Sequence, residues 1–313
     1  HQYFPIDANI IINKFLNNWK PNIAIFVESE IWPNMIFEIK KRKIPLILLN
    51  ARISNKSFTN WKRMKFISKN IFEMFDVCMS QNIETKIYLK KLGSKYIVSP
   101  GNLKFTEAST YVNFKLPKSV NNFFTGNKIV FGGISTHETE EEFCIKVLMK
   151  LKKKFKNIVL ILIPRHINRI DKILENILQY QMPIHRHSDR RGINKNTEVY
   201  IVDTFGETNK FLDKCSVVFL GGSLIPHGGQ NPLEAARFGL KITHGPHIRN
   251  FTDVYNLLEK IGISFKIKSE FDAFEKIENI LKYKSKRKQN VKKLKLMGQK
   301  ILNENYKYIS RYL

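Results

Sequence analysis

The sequence predicts a chain built from two parallel α/β halves, and three observations carry the prediction. Short apolar runs alternate with helical patterns; the alternation breaks once near the middle and restarts; and polar residues gather where the apolar runs end. Apolar runs without polar alternation are strands buried on both faces, and the helices between them are the crossovers that parallel strands require. The expected fold class is therefore α/β, with two doubly wound sheets.

In the first half the strands are "NIAIFVES", "IPLILLNAR", "FDVCMSQ" and "KYIVSPGN", separated by helical patterns such as "PNMIFEIKKRK" and "NIETKIYLKKLG". From about residue 106 to 127 the period is lost, which reads as an interdomain connection. The second half opens on the strand "KIVFGGIS" and the amphipathic helix "EEEFCIKVLMKLKKKF". The strands "NIVLILIP", "EVYIVDT", "SVVFLGGS" and "LKITHGP" follow. The expected boundaries are a first domain at 1–110, a linker at 111–127, a second domain at 128–290 and a basic C-terminal helix at 291–313.

In open α/β sheets ligands gather at the carboxyl ends of strands. Glu28, Ser29 and Glu30 follow the first strand and Asn50, Ala51 and Arg52 the second; Lys104 lies beyond the fourth. Ser135, Thr136 and His137, then Arg165 and His166, then Gly206 and Glu207 occupy the same place in the second half. The stretch "LGGSLIPHGGQNPLEAARFG" (220–239) adds a glycine-broken loop and a helix start. Asn231 is the expected cap, with Pro232 in the first turn, where its missing N–H costs nothing. A strand, a glycine-rich loop and a helix N-terminus predict backbone N–H groups facing an anion. A tight turn in an ordinary α/β unit has the same local pattern.

Composition narrows the function classes. With 313 residues, 43% hydrophobic and 12% aromatic, the chain can fill two cores. The formal charge of +26 admits nucleic acid, an anionic membrane or anionic substrates. The lysines are scattered, with concentrations only near 150–156 and 282–295. Neither stretch has the aromatic interleaving of a single-strand binder or zinc-finger spacing, so no nucleic-acid partner is expected. Cys78, Cys144 and Cys215 have no metal or redox spacing and read as buried thiols. No apolar run reaches membrane-spanning length. The first residue is histidine, which points to a chain that starts within a longer protein or after processing.

Taken in order, "ESEIWPN" (28–34), "NARIS" (50–54), "GNLKF" (101–105), "STHETEE" (135–141), "PRH" (164–166), "DTFGE" (203–207), "HGGQNPLE" (227–234) and "GPH" (245–247) resemble the bacterial 3-deoxy-D-manno-octulosonic acid (Kdo) transferases. The resemblance runs from residue 1 to about 260. It implies a GT-B glycosyltransferase, with two Rossmann-like domains facing a cleft. It also implies inverting, metal-independent transfer of Kdo from a CMP-Kdo donor to a lipid A precursor in lipopolysaccharide biosynthesis, without cofactor. The implied setting is the cytoplasmic face of the inner membrane of a Gram-negative bacterium.

The same resemblance assigns residues. Pro164 and Arg165, Phe205, Gly206 and Glu207, and Asn231, Pro232, Leu233 and Glu234 match the CMP-binding motifs. Arg165 offers a planar fork of donors to one phosphate, and Glu234 can accept from ribose hydroxyls. Without the resemblance, Arg165 reads as a surface ion-pair partner and Glu234 as a first-turn acid favoured by the helix dipole. Glu28 and Lys104 match positions that stabilise the transition state, with Glu30 the rival of Glu28. Trp32 reads as core packing, and His137, His166, His227 and His247 as possible cleft-lining residues. Family members begin with a hydrophobic membrane anchor and a glycine-rich loop carrying a glutamate base, to which nothing in this sequence corresponds. The first domain is therefore expected to be incomplete, and the 313 residues alone are expected to bind CMP without transferring Kdo. The competing readings are a GT-B transferase using a UDP-sugar, and a non-catalytic basic module for membranes or nucleic acid.

Overall fold

All strand pairings among the described residues are parallel, as the alternation of buried strands and helices requires. The computed structural model describes residues 3–106, 115–189, 191–283 and 287–313. The chain divides into two units, one of His1–Glu107 with Lys295–Leu313, the other of Ala108–Leu294.

The first unit runs α1 (Asn9–Trp19), β1 (Ala24–Val27), α2 (Pro33–Lys41), β2 (Leu46–Ala51), α3 (Asn55–Arg63), α4 (Lys65–Glu73), β3 (Val77–Ser80), α5 (Ile83–Leu92) and β4 (Ile97–Val98). Its sheet has the order β1-β2-β3-β4. Side-chain caps set two helix starts: Ser54 accepts from the Ser57 N–H at 3.1 Å and Asn82 from the Thr85 N–H at 2.8 Å. Leu46, Ile47, Leu48, Val77, Cys78 and Met79 are sealed at the centre. Each such aliphatic side chain contributes roughly 1.5–3 kcal/mol on burial.

The second unit contains α6 (Lys118–Phe124), β5 (Ile129–Thr136), α7 (Glu140–Lys152), β6 (Ile158–Pro164), α8 (Ile170–Leu178), β7 (Ile184–Arg186) and β8 (Val199–Ile201). It continues with α9 (Thr208–Leu212), β9 (Val217–Leu220), α10 (Leu233–Arg237), β10 (Lys241–His244), α11 (Thr252–Lys260), β11 (Ser264–Lys266) and α12 (Glu270–Lys282). The sheet order is β11-β10-β9-β5-β6-β8-β7. From β5 the chain moves outward through β6, then returns to place β9 on the other side. The carboxyl ends of β5, β6 and β9 therefore form the switch point, where such sheets leave a crevice.

Three features differ from the sequence expectation. Within the expected linker, residues 111–114 lie outside those described, but Lys118–Phe124 is helical. Phe123 and Phe124 pack on Tyr200, with ring centroids 6.2 and 5.1 Å apart, so α6 belongs to the second core. The strands β7 and β11 have three residues each, too few to show a period. Finally, the basic tail forms α13 (Arg287–Ile309), which is shared between the units. Arg287 donates to the carbonyls of Asp213 and Cys215, and Asn290 to that of Gly239. Further on, Tyr308, Ile309 and Tyr312 pack against Ile47, Val77 and Met79 of the first sheet. The apolar residues spaced along this helix outweigh its lysines in deciding where it packs.

Candidate functional site

The glycine loop after β9 is organised from within the protein. Gly221 passes so close to the end of β5 that a Cβ would sit 2.3 Å from the Ser135 carbonyl oxygen, so only glycine fits. Glu140, fully buried at the start of α7, accepts from the backbone N–H groups of Gly222 (2.6 Å), Ser223 (3.0 Å), Leu224 (2.9 Å) and His137 (3.0 Å). Burying a carboxylate is costly unless its lone pairs are filled, and here four N–H groups fill them. This corrects the expectation of loop N–H groups free for a ligand: Glu140 holds those of residues 222–224. The helix start also differs. α10 begins at Leu233 with Pro232 at its cap, while the Asn231 side chain accepts from the Leu233 N–H at 3.1 Å.

At the switch point lies a cleft of 210 Å³ lined by Ser135 from β5, Arg165 after β6, Leu220 from β9, and Gln230, Asn231 and Glu234 around α10. Leu212, Ala235 and Phe251 add apolar wall. The Arg165 backbone N–H donates to the Thr136 carbonyl at 2.9 Å, which fixes where its exposed side chain starts. The cleft thus combines a guanidinium, a carboxylate and two side-chain amides on strand and helix ends. That donor set suits a small ligand bearing one anionic group and several hydroxyls.

The other predicted binding residues stand apart from this lining. Pro164, Pro232 and Leu233 are buried beside it. Phe205, Gly206 and Glu207 form the turn after β8, with Phe205 88% exposed. Glu207 is held by His187 Nε2 at 2.7 Å and Lys210 Nζ at 2.8 Å. Against the upward push of burial, Lys210 and His187 hold its carboxyl below the usual carboxylate range.

Three histidines meet beside the loop. The His137 ring lies 4.3 Å from that of His227 and 5.7 Å from that of His166, centroid to centroid, and its Nε2 is 3.2 Å from Gln230 Nε2. Burial, with the neighbouring His227 and His166, pushes His137 down to about 4, so it is neutral at neutral pH. Among the described residues no group of three or more His, Cys, Asp or Glu side chains could hold a metal ion. All three cysteines are buried and free. Burial pushes the thiols of Cys78 and Cys215 up to about 12.

In the first unit, Glu28 follows β1 in the left-handed region at φ 58°, a conformation that costs a non-glycine residue about 1–3 kcal/mol. Its carboxylate meets Lys104 Nζ at 2.9 Å. Asn50, buried and also left-handed at φ 51°, accepts from the Leu103 N–H at 3.1 Å and so seats the 3-10 turn Leu103–Thr106 that carries Lys104. Glu30 instead accepts from Trp32 Nε1 at 2.7 Å. Trp32 is not core packing: it is 37% exposed and stacks on Phe4 at 5.1 Å. No helix among the described residues is long and apolar enough to cross a membrane.

Two Rossmann-like units, the second with its polar cleft at the switch point, have the architecture of the GT-B fold. Residues 1–107 match a family described as 3-deoxy-D-manno-octulosonic-acid transferase (kdotransferase). The 3-deoxy-D-manno-octulosonic acid transferase of Rickettsia prowazekii (strain Madrid E) is 35% identical over 320 residues, covering 100% of this chain and 68% of that protein. The chain belongs to the Kdo transferase family. Among solved structures, the C-terminal CMP-Kdo binding domain of WaaA from Acinetobacter baumannii is 25% identical, covers 58% of this chain and 93% of its own, and gives a TM-score of 0.50. A UDP-N-acetylglucosamine 2-epimerase aligns over 97% of this chain and 76% of its own with a TM-score of 0.59 at 13% identity, a likeness of fold alone.

Sequence reasoning missed Glu140, Asn50 and Gln230 as organising residues. An acid in the first turn of a helix is common on dipole grounds, and nothing local in "STHETEE" marks Glu140 as buried.

Proposed function

We propose that this chain carries the donor-binding and transfer machinery for moving Kdo from CMP-Kdo to a lipid A precursor, in lipopolysaccharide biosynthesis. One observation carries the reading: Arg165, Asn231 and Glu234 converge on one cleft, in a unit similar to a CMP-Kdo binding domain. In this reading the Arg165 guanidinium pairs with the CMP phosphate, on which charge builds as the bond to the anomeric carbon breaks. Glu234 accepts from the ribose hydroxyls, and Asn231 orders the turn that presents it. Phe205, Gly206 and Glu207, with Pro164, Pro232 and Leu233, frame the nucleotide side. Glu28 and Lys104 supply fixed charge to the transition state, and the acceptor hydroxyl attacks with inversion. Because a guanidinium offsets the single phosphate, the donor needs no metal bridge. The +26 charge suits work at an anionic membrane surface, which we take to be the cytoplasmic face of the inner membrane.

Calorimetric titration of CMP with and without EDTA tests the donor site. Equal affinity in both is expected; loss of binding on chelation would overturn the metal-free reading.

A further inference from the structure

We infer that the second unit has another small-molecule site, at the carboxyl ends of β10 and β11, built for a phosphorylated polyol. A cleft of 470 Å³ opens there, and it shares no lining residue with the cleft that holds Arg165. One of its lining residues, His244, keeps a strong hydrogen-bonding atom unanswered beneath the cleft surface. His244 lines the cleft, is 1% exposed and lies against the Tyr255 ring at 4.2 Å. Its Nδ1 is 2.8 Å from the Gly245 carbonyl oxygen, which can only accept, so Nδ1 carries the proton. Nε2 is then a bare acceptor, and it has no partner. Burial holds this imidazole down to about 4, so it does not fill that position by protonating at neutral pH.

A buried acceptor without a partner is costly, and a ligand hydroxyl is the group that removes the cost. The rest of the lining says what else the ligand carries. Arg249 and Lys266, neither in an ion pair among the described residues, and His247 stand around the same cleft and favour an anion. Glu259 also lines it and can accept from a second hydroxyl. Two cations and an imidazole for a phosphate dianion, with a neutral imidazole and a carboxylate for hydroxyls, describe a phosphorylated polyol. A bare anion would leave His244 unanswered, and a neutral sugar would leave the cations so.

The test is calorimetry near pH 8, above the second ionisation of a phosphate monoester, on the chain with CMP in excess. Glycerol 3-phosphate is titrated beside methyl phosphate, which keeps the charge and has no hydroxyl, and erythronate, which puts hydroxyls on a carboxylate. Glycerol 3-phosphate is expected to bind about tenfold more tightly than either, because each control leaves one half of the site unpaired. The Arg249→Gln/Lys266→Gln double variant, changed only at exposed positions, should lose about tenfold or more of that affinity. Arg165→Ala should not. In a nitrogen-15 spectrum of the wild-type chain, the His244 Nε2 signal should move towards the hydrogen-bonded position as glycerol 3-phosphate is added. No binding, equal binding of methyl phosphate or of erythronate, displacement by CMP, an unaffected double variant, or an unmoved His244 signal would each overturn the assignment.

Discussion

Glu140 and Glu234 both stand in the first turn of a helix that follows a strand of the same sheet, yet they have opposite fates. Glu140 is sealed under the loop after β9, with four backbone N–H groups on its carboxylate. Glu234 is exposed at the mouth of the 210 Å³ cleft. The difference separates two jobs that a glycine-rich loop is usually asked to do at once. Here the loop N–H groups are used to fix the loop, and exposed side chains on its flanks are left for the ligand. In the donor-binding reading proposed above, the anion would depend on the Arg165 side chain more than on a backbone cradle.

The largest effect should come from breaking the sealed half. Glu140→Ala leaves several buried N–H groups without a partner, and unfolding by denaturant should show a loss of about 3–5 kcal/mol. A loss under about 1 kcal/mol would mean that water or another group replaces the carboxylate easily. Next is the ion pair of the first unit. In an active transferase, Lys104→Ala should lower turnover by an amount equivalent to about 2.7–4 kcal/mol, with CMP affinity near wild type. A matching fall in CMP affinity would instead place Lys104 in donor binding.

On the open half, Arg165→Ala should weaken CMP by about 1.5–3 kcal/mol in calorimetry, while thermal stability barely moves. Unchanged affinity would shift the phosphate elsewhere. The smallest effect sharpens the comparison most. Glu234→Gln should cost CMP about 1 kcal/mol and cost 2′,3′-dideoxy-CMP almost nothing, because the hydroxyls it addresses are missing. Equal losses for the two ligands would make Glu234 a helix-start acid after all, and the contrast with Glu140 would then be one of burial only.

Much of the framework was legible along the chain. The runs "IPLILLNAR" and "NIVLILIP" announce buried parallel strands because every residue in such a strand faces protein, so the apolar signal is continuous. Polar residues gather at their ends, the edge where open α/β sheets generally take ligands, and the spaced motifs from "ESEIWPN" to "GPH" identify the family. The three-residue strands β7 and β11 were hidden, since pairing with a neighbour and not periodicity makes them strands. The helix α6 was hidden too, because its aromatics acquire meaning only when Tyr200 stands beneath them.

At the site, the sequence by itself determined which residue types stand at the strand ends. Only the tertiary structure decided how they pair. Glu28 and Glu30 are indistinguishable by spacing; folding gives one to Lys104 and the other to Trp32. Arg165 and Glu234 lie far apart in sequence and share a cleft because β5 is flanked by β6 and β9. The physical reason is range. Periodicity and turn chemistry act over a few residues and are written locally, whereas burial of a carboxylate, the unanswered nitrogen of His244 and the partner of a lysine depend on neighbours brought in from distant parts of the chain.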